Sequence, residues 1–170
     1  NTYSRIEVEV TLPMGNHLQD QGHALIPAGD GPRPALNWRL QHGDYSANTI
    51  ELFHTSPVPN LIITAPDGSE VQRRPGPGPF SLSGLLEGNT FCGLIHTSPV
   101  GPNLRRTVVS LFETAGSAGG LCQAGVWRVR LEDQGQVQAW IHRDDSGYEN
   151  DAAAPFRRSW LEDADYRARD

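Results

Sequence analysis

Lysine is absent from the sequence. All 14 basic residues of the 170-residue chain are therefore arginines, and 20 aspartates and glutamates outnumber them, so the formal net charge is −6. Proteins that bind duplex nucleic acid gain much of their affinity from clustered cations that neutralise phosphates. The arginines here are scattered or occur in pairs, at 73–74, 105–106 and 157–158. We therefore expect no nucleic-acid partner, and we expect the pairs to be solvated or to contact carboxylates.

Cysteine and long apolar segments are also scarce. Cys92 and Cys122 are the only cysteines, and they could either form a disulfide or remain buried thiols. With two sulfurs and no Cys-x-x-Cys pair, a structural zinc site is not expected. No run approaches the roughly 18 apolar residues of a membrane-spanning helix, and Asn1 begins no signal-like segment. These features predict no membrane insertion.

What the sequence does contain is alternation of apolar and polar residues. Every second residue from Ile6 to Leu12 is apolar, which is typical of a half-buried strand, and the same period returns at 35–41, 125–132 and 136–143. Shorter strand candidates are 22–26, 48–54, 60–65, 90–96 and 106–113. The apolar phase of these strands predicts the buried anchors, which are Trp38, Trp127, Ile141 and the even-numbered apolar series from Ile6 to Leu12.

Strong turn signals separate the strand candidates. They lie at 66–69, 75–79, 115–120 and 133–135, and the last predicts a tight hairpin between two alternating strands. No segment before residue 150 shows the helical period of 3.6 residues over more than two turns. We therefore predict an all-β fold, an antiparallel β-sandwich of about nine or ten strands, with the jelly roll as the preferred version.

The composition changes near residue 149. We predict that residues 1–148 form the sandwich, while 149–170 form an irregular or short helical tail that packs on the sandwich or acts as a linker.

Serine-hydrolase motifs are missing as well. The sequence has no Gly-x-Ser-x-Gly segment, and the pentapeptide His-Thr-Ser-Pro-Val, which occurs at 54–58 and 96–100, places its serine before a proline. In such a turn the hydroxyl satisfies a nearby backbone group more naturally than it attacks a substrate. We interpret the two copies as two similar sheet connections and predict no catalytic residue.

An acidic cluster follows the last alternating strand. Asp144, Asp145, Glu149 and Asp151 are weak calcium candidates, because hard cations bind several carboxylate oxygens, but their spacing does not match an EF-hand. The tripeptide Asp145-Ser-Gly occurs once, without the second carboxylate loop that an aspartic protease needs. A solvated acidic loop without a metal is the simpler interpretation, and we expect no cofactor.

Aromatic side chains on the outside of a sandwich can stack on sugar rings. Trp140 lies in the phase opposite to Val137, Ala139 and Ile141, which predicts an outward position. A carbohydrate-binding module would use Trp140 or Tyr148 as the stacking platform and Asp144 and Asp145 as hydrogen-bond acceptors.

Several short landmarks carry a resemblance to a known family. Gly125-Val-Trp-Arg-Val129 is followed by Ala139-Trp-Ile-His-Arg-Asp-Asp145 and then by Phe156-Arg-Arg-Ser-Trp-Leu-Glu-Asp163 and Tyr166. This order resembles the closing part of a β-rich domain that follows the catalytic domain in a group of bacterial subtilisin-like serine peptidases. Earlier segments fit it too: Leu12-Pro-Met-Gly-Asn16, Leu36-Asn-Trp-Arg39 and 44–53. The sequence departs from the family at 73–80 and between Asp145 and Phe156.

The resemblance implies an accessory role. The chain, which starts without methionine, would be a non-catalytic segment that stabilises or targets a peptidase, and its partner would be the catalytic domain of the same polypeptide. Two other hypotheses stay open, a carbohydrate-binding module and a free-standing hydrolase. The hydrolase would require His54, His96, Asp145 or Glu149 to converge on one cleft.

Overall fold

A computed structural model describes eight segments of the chain, residues 22–31, 33–55, 60–72, 81–88, 90–116, 121–132, 135–142 and 159–162. Within them the chain forms eleven strands and no helix. The strands are β1 (His23–Ile26), β2 (Leu36–Leu40), β3 (Asn48–His54), β4 (Asn60–Thr64), β5 (Glu70–Gln72), β6 (Ser81–Glu87), β7 (Thr90–Pro99), β8 (Arg105–Leu111), β9 (Gly125–Glu132), β10 (Val137–Ile141) and β11 (Ser159–Leu161). None of the described segments provides a helix that could span a membrane.

The strands form two open antiparallel sheets. The six-stranded sheet has the order β1-β10-β3-β8-β7-β6, and the five-stranded sheet has the order β11-β2-β9-β4-β5. Neither sheet closes into a barrel. The predicted all-β antiparallel sandwich is confirmed.

The core lies between the sheets because alternation places every second side chain inward. Trp38 and Trp127 face each other on neighbouring strands of the five-stranded sheet, and both are fully buried. Ile141 is also buried in the core. These three predicted anchors are confirmed, whereas the predicted strand from Ile6 to Leu12 lies outside the described residues.

The predicted hairpin at residues 133–135 is wrong. β9 and β10 follow each other in sequence, yet β9 pairs with β2 and β4, whereas β10 pairs with β1 and β3 in the other sheet. The chain therefore passes from the five-stranded sheet to the six-stranded sheet between β9 and β10. A local turn signal reports that the chain reverses, but it does not report whether the next strand pairs with the previous one or packs opposite it.

Three strands appear where the sequence showed no alternation. β5 has three residues, β6 contains Gly84, and β11 is a three-residue edge strand in the segment predicted as an irregular or short helical tail. β11 pairs with β2 through Ser159, Trp160 and Leu161, and Leu161 is buried. β5 and β11 are too short to show a period, and β11 depends on a partner strand that is distant in sequence.

The two cysteines are free thiols, and both are buried. Cys92 lies in β7 and Cys122 lies just before β9, and the fold brings these two residues into hydrogen-bond contact.

Candidate functional site on the outer face of the six-stranded sheet

One row of side chains crosses the solvent side of the six-stranded sheet. Neighbouring strands place His23 beside Trp140, Trp140 beside Glu51, Glu51 beside Val108 and Val108 beside His96. The residues that alternate with this row on β3, β8 and β10 are buried in the core. The row therefore lies on the side of the sheet away from the core, which we call the outer face.

Trp140 is the most exposed large side chain of this row. It is 44% exposed, and its indole stacks on the imidazole of His23, with ring centroids 3.9 Å apart and an interplanar angle of 28°. The two rings meet because the antiparallel register pairs these residues directly. The predicted outward position of Trp140 is confirmed, and the stack holds the indole as a preorganised aromatic surface.

A half-buried carboxylate lies next to the tryptophan. Oε1 of Glu51 lies 3.2 Å from Nη1 of Arg106 and 3.1 Å from Nε2 of His142. The Glu51 side chain is only 14% exposed, whereas the Arg106 and His142 side chains are 39% and 50% exposed. Arg106 thus has the carboxylate partner that we expected for one of the paired arginines.

The outer face consequently combines a flat aromatic surface with fixed polar groups. Indole and imidazole supply area for stacking, and Glu51, Arg106 and His142 supply an acceptor and donors in a held arrangement. Such a surface is suited to binding another molecule. It does not assemble a nucleophile with an activating base.

The two histidines proposed for a free-standing hydrolase do not converge. His54 is fully buried on the core side of β3, whereas His96 is paired with Val108 on the outer face. They lie on opposite sides of the same sheet. Asp145 and Glu149, the other groups that such a site would need, lie outside the described residues.

The repeated pentapeptides form two different connections at one end of the sandwich. The first copy leads from β3 to β4, which belong to different sheets, whereas the second copy continues β7 as far as Pro99 and then turns into β8 of the same sheet. Both copies reach the same end, because His54 and Pro99 each pair with Arg105. The prediction of two similar connections is therefore wrong, since β7 continues through the repeat while β3 ends at its first residue.

A buried polar chain joins the two copies. Nε2 of His54 is hydrogen-bonded to Oγ1 of Thr107 at 2.8 Å, and Oγ1 of Thr107 is hydrogen-bonded to Oγ1 of Thr97 at 2.9 Å. All three residues are buried. This arrangement satisfies polar groups inside the core and gives His54 a structural role.

Most of the acidic and aromatic candidates fall outside the described segments. These are Asp144, Asp145, Tyr148, Glu149 and Asp151, which the sequence proposed for ligand or calcium binding. Within the segments that the structure describes, no group of three or more histidine, cysteine, aspartate or glutamate side chains could hold a metal ion. The ligand-binding role of Trp140 and of these residues stays a prediction.

Sequence reasoning missed Glu51, Arg106, His142 and His23 as members of this site. Glu51 and His142 carry a local signal, since each is a polar residue in a predicted strand, 48–54 and 136–143, and His142 has the parity of Trp140. His23 and Arg106 come from strands distant in sequence, and the register of the sheet brings them to the outer face.

Comparisons with known proteins support the fold but do not show which family the chain belongs to. No protein-family model and no curated protein matches the sequence. The structure is similar to part of the CspB protease of Clostridium perfringens, with a TM-score of 0.57 and 17% sequence identity. The match covers 75% of this chain and 27% of that protein, so the chain spans about a quarter of its length. At this identity the likeness is one of fold, a fold that occurs in a protease.

Proposed function

We propose that the chain is a non-catalytic β-sandwich accessory domain of a bacterial subtilisin-like serine peptidase, which stabilises or targets the catalytic domain of the same polypeptide. The fold likeness to part of a clostridial protease is the observation that carries this proposal. It agrees with the separate resemblance of the sequence landmarks from Leu12 to Tyr166 to a domain of such peptidases. The opposite placement of His54 and His96 adds support, because these two histidines cannot act together in one catalytic site.

The strand order supports a jelly roll as the architecture of this domain. The order β1-β10-β3-β8 in one sheet and β2-β9-β4-β5 in the other interleaves successive strands between the sheets, as a double Greek key does. In this interpretation β6, β7 and β11 are additions at the edges.

Removing the domain from the parent peptidase tests the accessory role. We expect the truncated peptidase to lose thermal stability or targeting while keeping its catalytic residues, and we expect the isolated chain to hydrolyse no peptide substrate. Peptide hydrolysis by the isolated chain that disappears in the His96→Ala and Ser98→Ala variants would instead establish a free-standing hydrolase. An unchanged melting temperature, activity and distribution of the truncated peptidase would refute the accessory role.

The exposed indole favours a second function, that of a carbohydrate-binding module. Trp140 presents a stacking surface beside the Glu51 carboxylate, which is an arrangement that can hold a sugar ring and its hydroxyl groups. Calorimetric titration with soluble glycans tests this. Binding should be abolished by Trp140→Ala and retained by Tyr45→Ala, which removes an aromatic side chain that is 73% exposed in the loop before β3. Equal loss in both variants, or no binding by the wild type, would reject this function.

A further inference from the structure

The fold brings together the only two cysteines of the chain. Sγ of Cys122 donates a hydrogen bond to the backbone carbonyl oxygen of Cys92 at a distance of 2.5 Å. The residues are 30 positions apart, and they belong to different elements, the bulged part of β7 and the segment that leads into β9. With two cysteines in 170 residues, their meeting is specific to this arrangement of strands.

Backbone contacts hold the two segments against a common neighbour. The Cys92 carbonyl also accepts the amide of Phe112, and the Cys122 amide donates to the carbonyl of Glu113 at 3.0 Å. Both thiols therefore lie beside the same stretch of chain just after β8. These backbone hydrogen bonds, and not only side-chain packing, fix the position of the two cysteines.

We propose that Cys92 and Cys122 are a redox pair whose oxidation to an intramolecular disulfide joins the two sheets of the sandwich. β7 belongs to the six-stranded sheet, and β9 is the central strand of the five-stranded sheet. One covalent bond between their neighbouring segments would close a 30-residue loop. Such a bond stabilises mainly by restricting the unfolded chain. This inference does not depend on the proposed accessory role.

The reaction is a thiol exchange with a small disulfide such as oxidised glutathione. One cysteine thiolate attacks a sulfur of glutathione disulfide, so that a mixed disulfide forms and one glutathione thiolate leaves. The second cysteine then attacks the protein sulfur of the mixed disulfide, and the second glutathione thiolate leaves. The two cysteines together lose two electrons and two protons, and glutathione disulfide is reduced to two thiols.

Access to the pair is through the segment that carries Cys122. This segment has no strand pairing of its own, and its flanking residues Leu121 and Gln123 are exposed. In the closed state the hydrogen bond with Cys92 and burial both raise the pKa of the Cys122 thiol above its ordinary value. The same contact lowers the pKa of the Cys92 thiol, so Cys92 is the cysteine that ionises first. Because Cys92 is fully buried, glutathione reaches it only when the Cys122 segment opens, so native oxidation should be slow and refolding should be the efficient route to the disulfide.

The test is to refold the 170-residue chain in buffers of increasing oxidised-to-reduced glutathione ratio. Remaining thiols are then alkylated in denaturant and counted by mass spectrometry. As the ratio rises, we expect a monomer with no alkylated cysteine to replace the monomer with two alkylated cysteines. Digestion with trypsin or chymotrypsin should then yield two peptides joined through Cys92 and Cys122. The melting temperature should rise by about 5–10 °C.

The single variants Cys92→Ala and Cys122→Ala provide the control. Each is compared with itself under reducing and oxidising conditions, so a general loss of stability from the substitution does not enter the comparison. The oxidation-dependent rise in melting temperature should vanish in both. Any of three results would overturn the proposal: two alkylated cysteines at every glutathione ratio, disulfide-linked dimers in place of the monomer, or a lower melting temperature on oxidation. If either variant fails to fold, the thiol count and the linked peptide of the wild type still decide.

Discussion

Nε2 of His54 lies 2.8 Å from Oγ1 of Thr107 in the interior of the sandwich. Because Thr107 also contacts Thr97, one hydroxyl links the first copy of the repeated pentapeptide to the second. A buried polar group that loses its partner costs more than the hydrogen bond contributed when formed. The buried polar contact between the two copies therefore depends on Thr107, a residue that lies outside both of them.

Replacing Thr107 by valine should reveal this cost. Thr107→Val keeps the shape of the side chain and removes both hydrogen bonds, so it should lower the free energy of unfolding by about 1–3 kcal/mol in urea denaturation. Thr49→Val is the matched control, because Thr49 Oγ1 contacts Ser110 Oγ at 3.0 Å on the outer face, where water can replace the partner. That change should stay within about 0.5 kcal/mol. Equal effects would show that burial of the Thr107 network contributes nothing.

Asp44 anchors the loop before β3 through a buried carboxylate. Oδ1 accepts the amide and the hydroxyl of Ser46, at 2.9 and 2.6 Å, and Oδ2 accepts Nδ2 of Asn48 at 2.8 Å. In the Asp44→Asn variant an NH2 group replaces one carboxylate oxygen, so a donor faces a donor. We expect the free energy of unfolding to fall by about 2–3 kcal/mol.

The control for Asp44 is Asp67, which accepts the amide of Ser69 in the same local geometry at 2.8 Å but is fully exposed. Asp67→Asn should have a much smaller effect, because water satisfies the donors that it releases. Parallel denaturation curves of the two variants make the comparison, and a larger effect at Asp67 would contradict it.

Two glycines of the six-stranded sheet differ in what surrounds them. A Cβ at Gly93 would meet the backbone carbonyl oxygen of Ser110, whereas a Cβ at Gly84 would meet the ring of Phe91, a side chain that is 41% exposed. A ring at the surface can turn away, but a paired backbone cannot. Gly93→Ala should therefore cost about 1–3 kcal/mol and Gly84→Ala clearly less, as measured by thermal unfolding. The reverse order would show that the β7 to β8 ladder adjusts more easily than the Phe91 ring.

Glu87 makes stability depend on pH in a defined direction. Burial raises the pKa of its carboxyl group above the ordinary value of 4.5, and the amide of Gln123, which lies 3.3 Å from Oε2, only partly offsets this. The folded chain thus keeps this proton to a higher pH than the unfolded chain does. It follows that the contribution of Glu87 to stability is present at low pH and is lost as the pH rises through the folded-state pKa.

Glu87→Gln removes the titration and keeps an acceptor for the Gln123 amide. The variant should exceed the wild type in stability at pH 7, by at most about 1 kcal/mol, and the two should converge near pH 4. Urea denaturation at both pH values provides the measurement. A difference of the same size at both would mean that ionisation of Glu87 is not its cause.

The sequence predicted the strands more reliably than their partners. Alternation located β2, β9 and β10 and placed Trp38 and Trp127 in the core, because the period of two reports which side of a strand is covered. It did not predict that β9 and β10 lie in different sheets, since pairing is decided by contacts between distant segments.

The same limit applies to the candidate site. The outward position of Trp140 follows from its parity, which a single strand shows. His142 follows Trp140 by two residues and shares its parity. The proximity of His23, Glu51 and Arg106 requires the register of β1, β3 and β8 around β10, and no local pattern encodes that register.

The pairing of β1 with β10 and of β2 with β9 has a consequence for synthesis of the protein. Each sheet contains strands from both halves of the chain, so the six-stranded sheet cannot be completed until β10 has left the ribosome, and the five-stranded sheet cannot be completed until β11 has. Such a high contact order predicts slow folding, and it leaves several alternating strands without neighbours in the nascent chain. Chaperone binding during translation is therefore expected to raise the yield of this domain more than a further gain in the stability of its native state would.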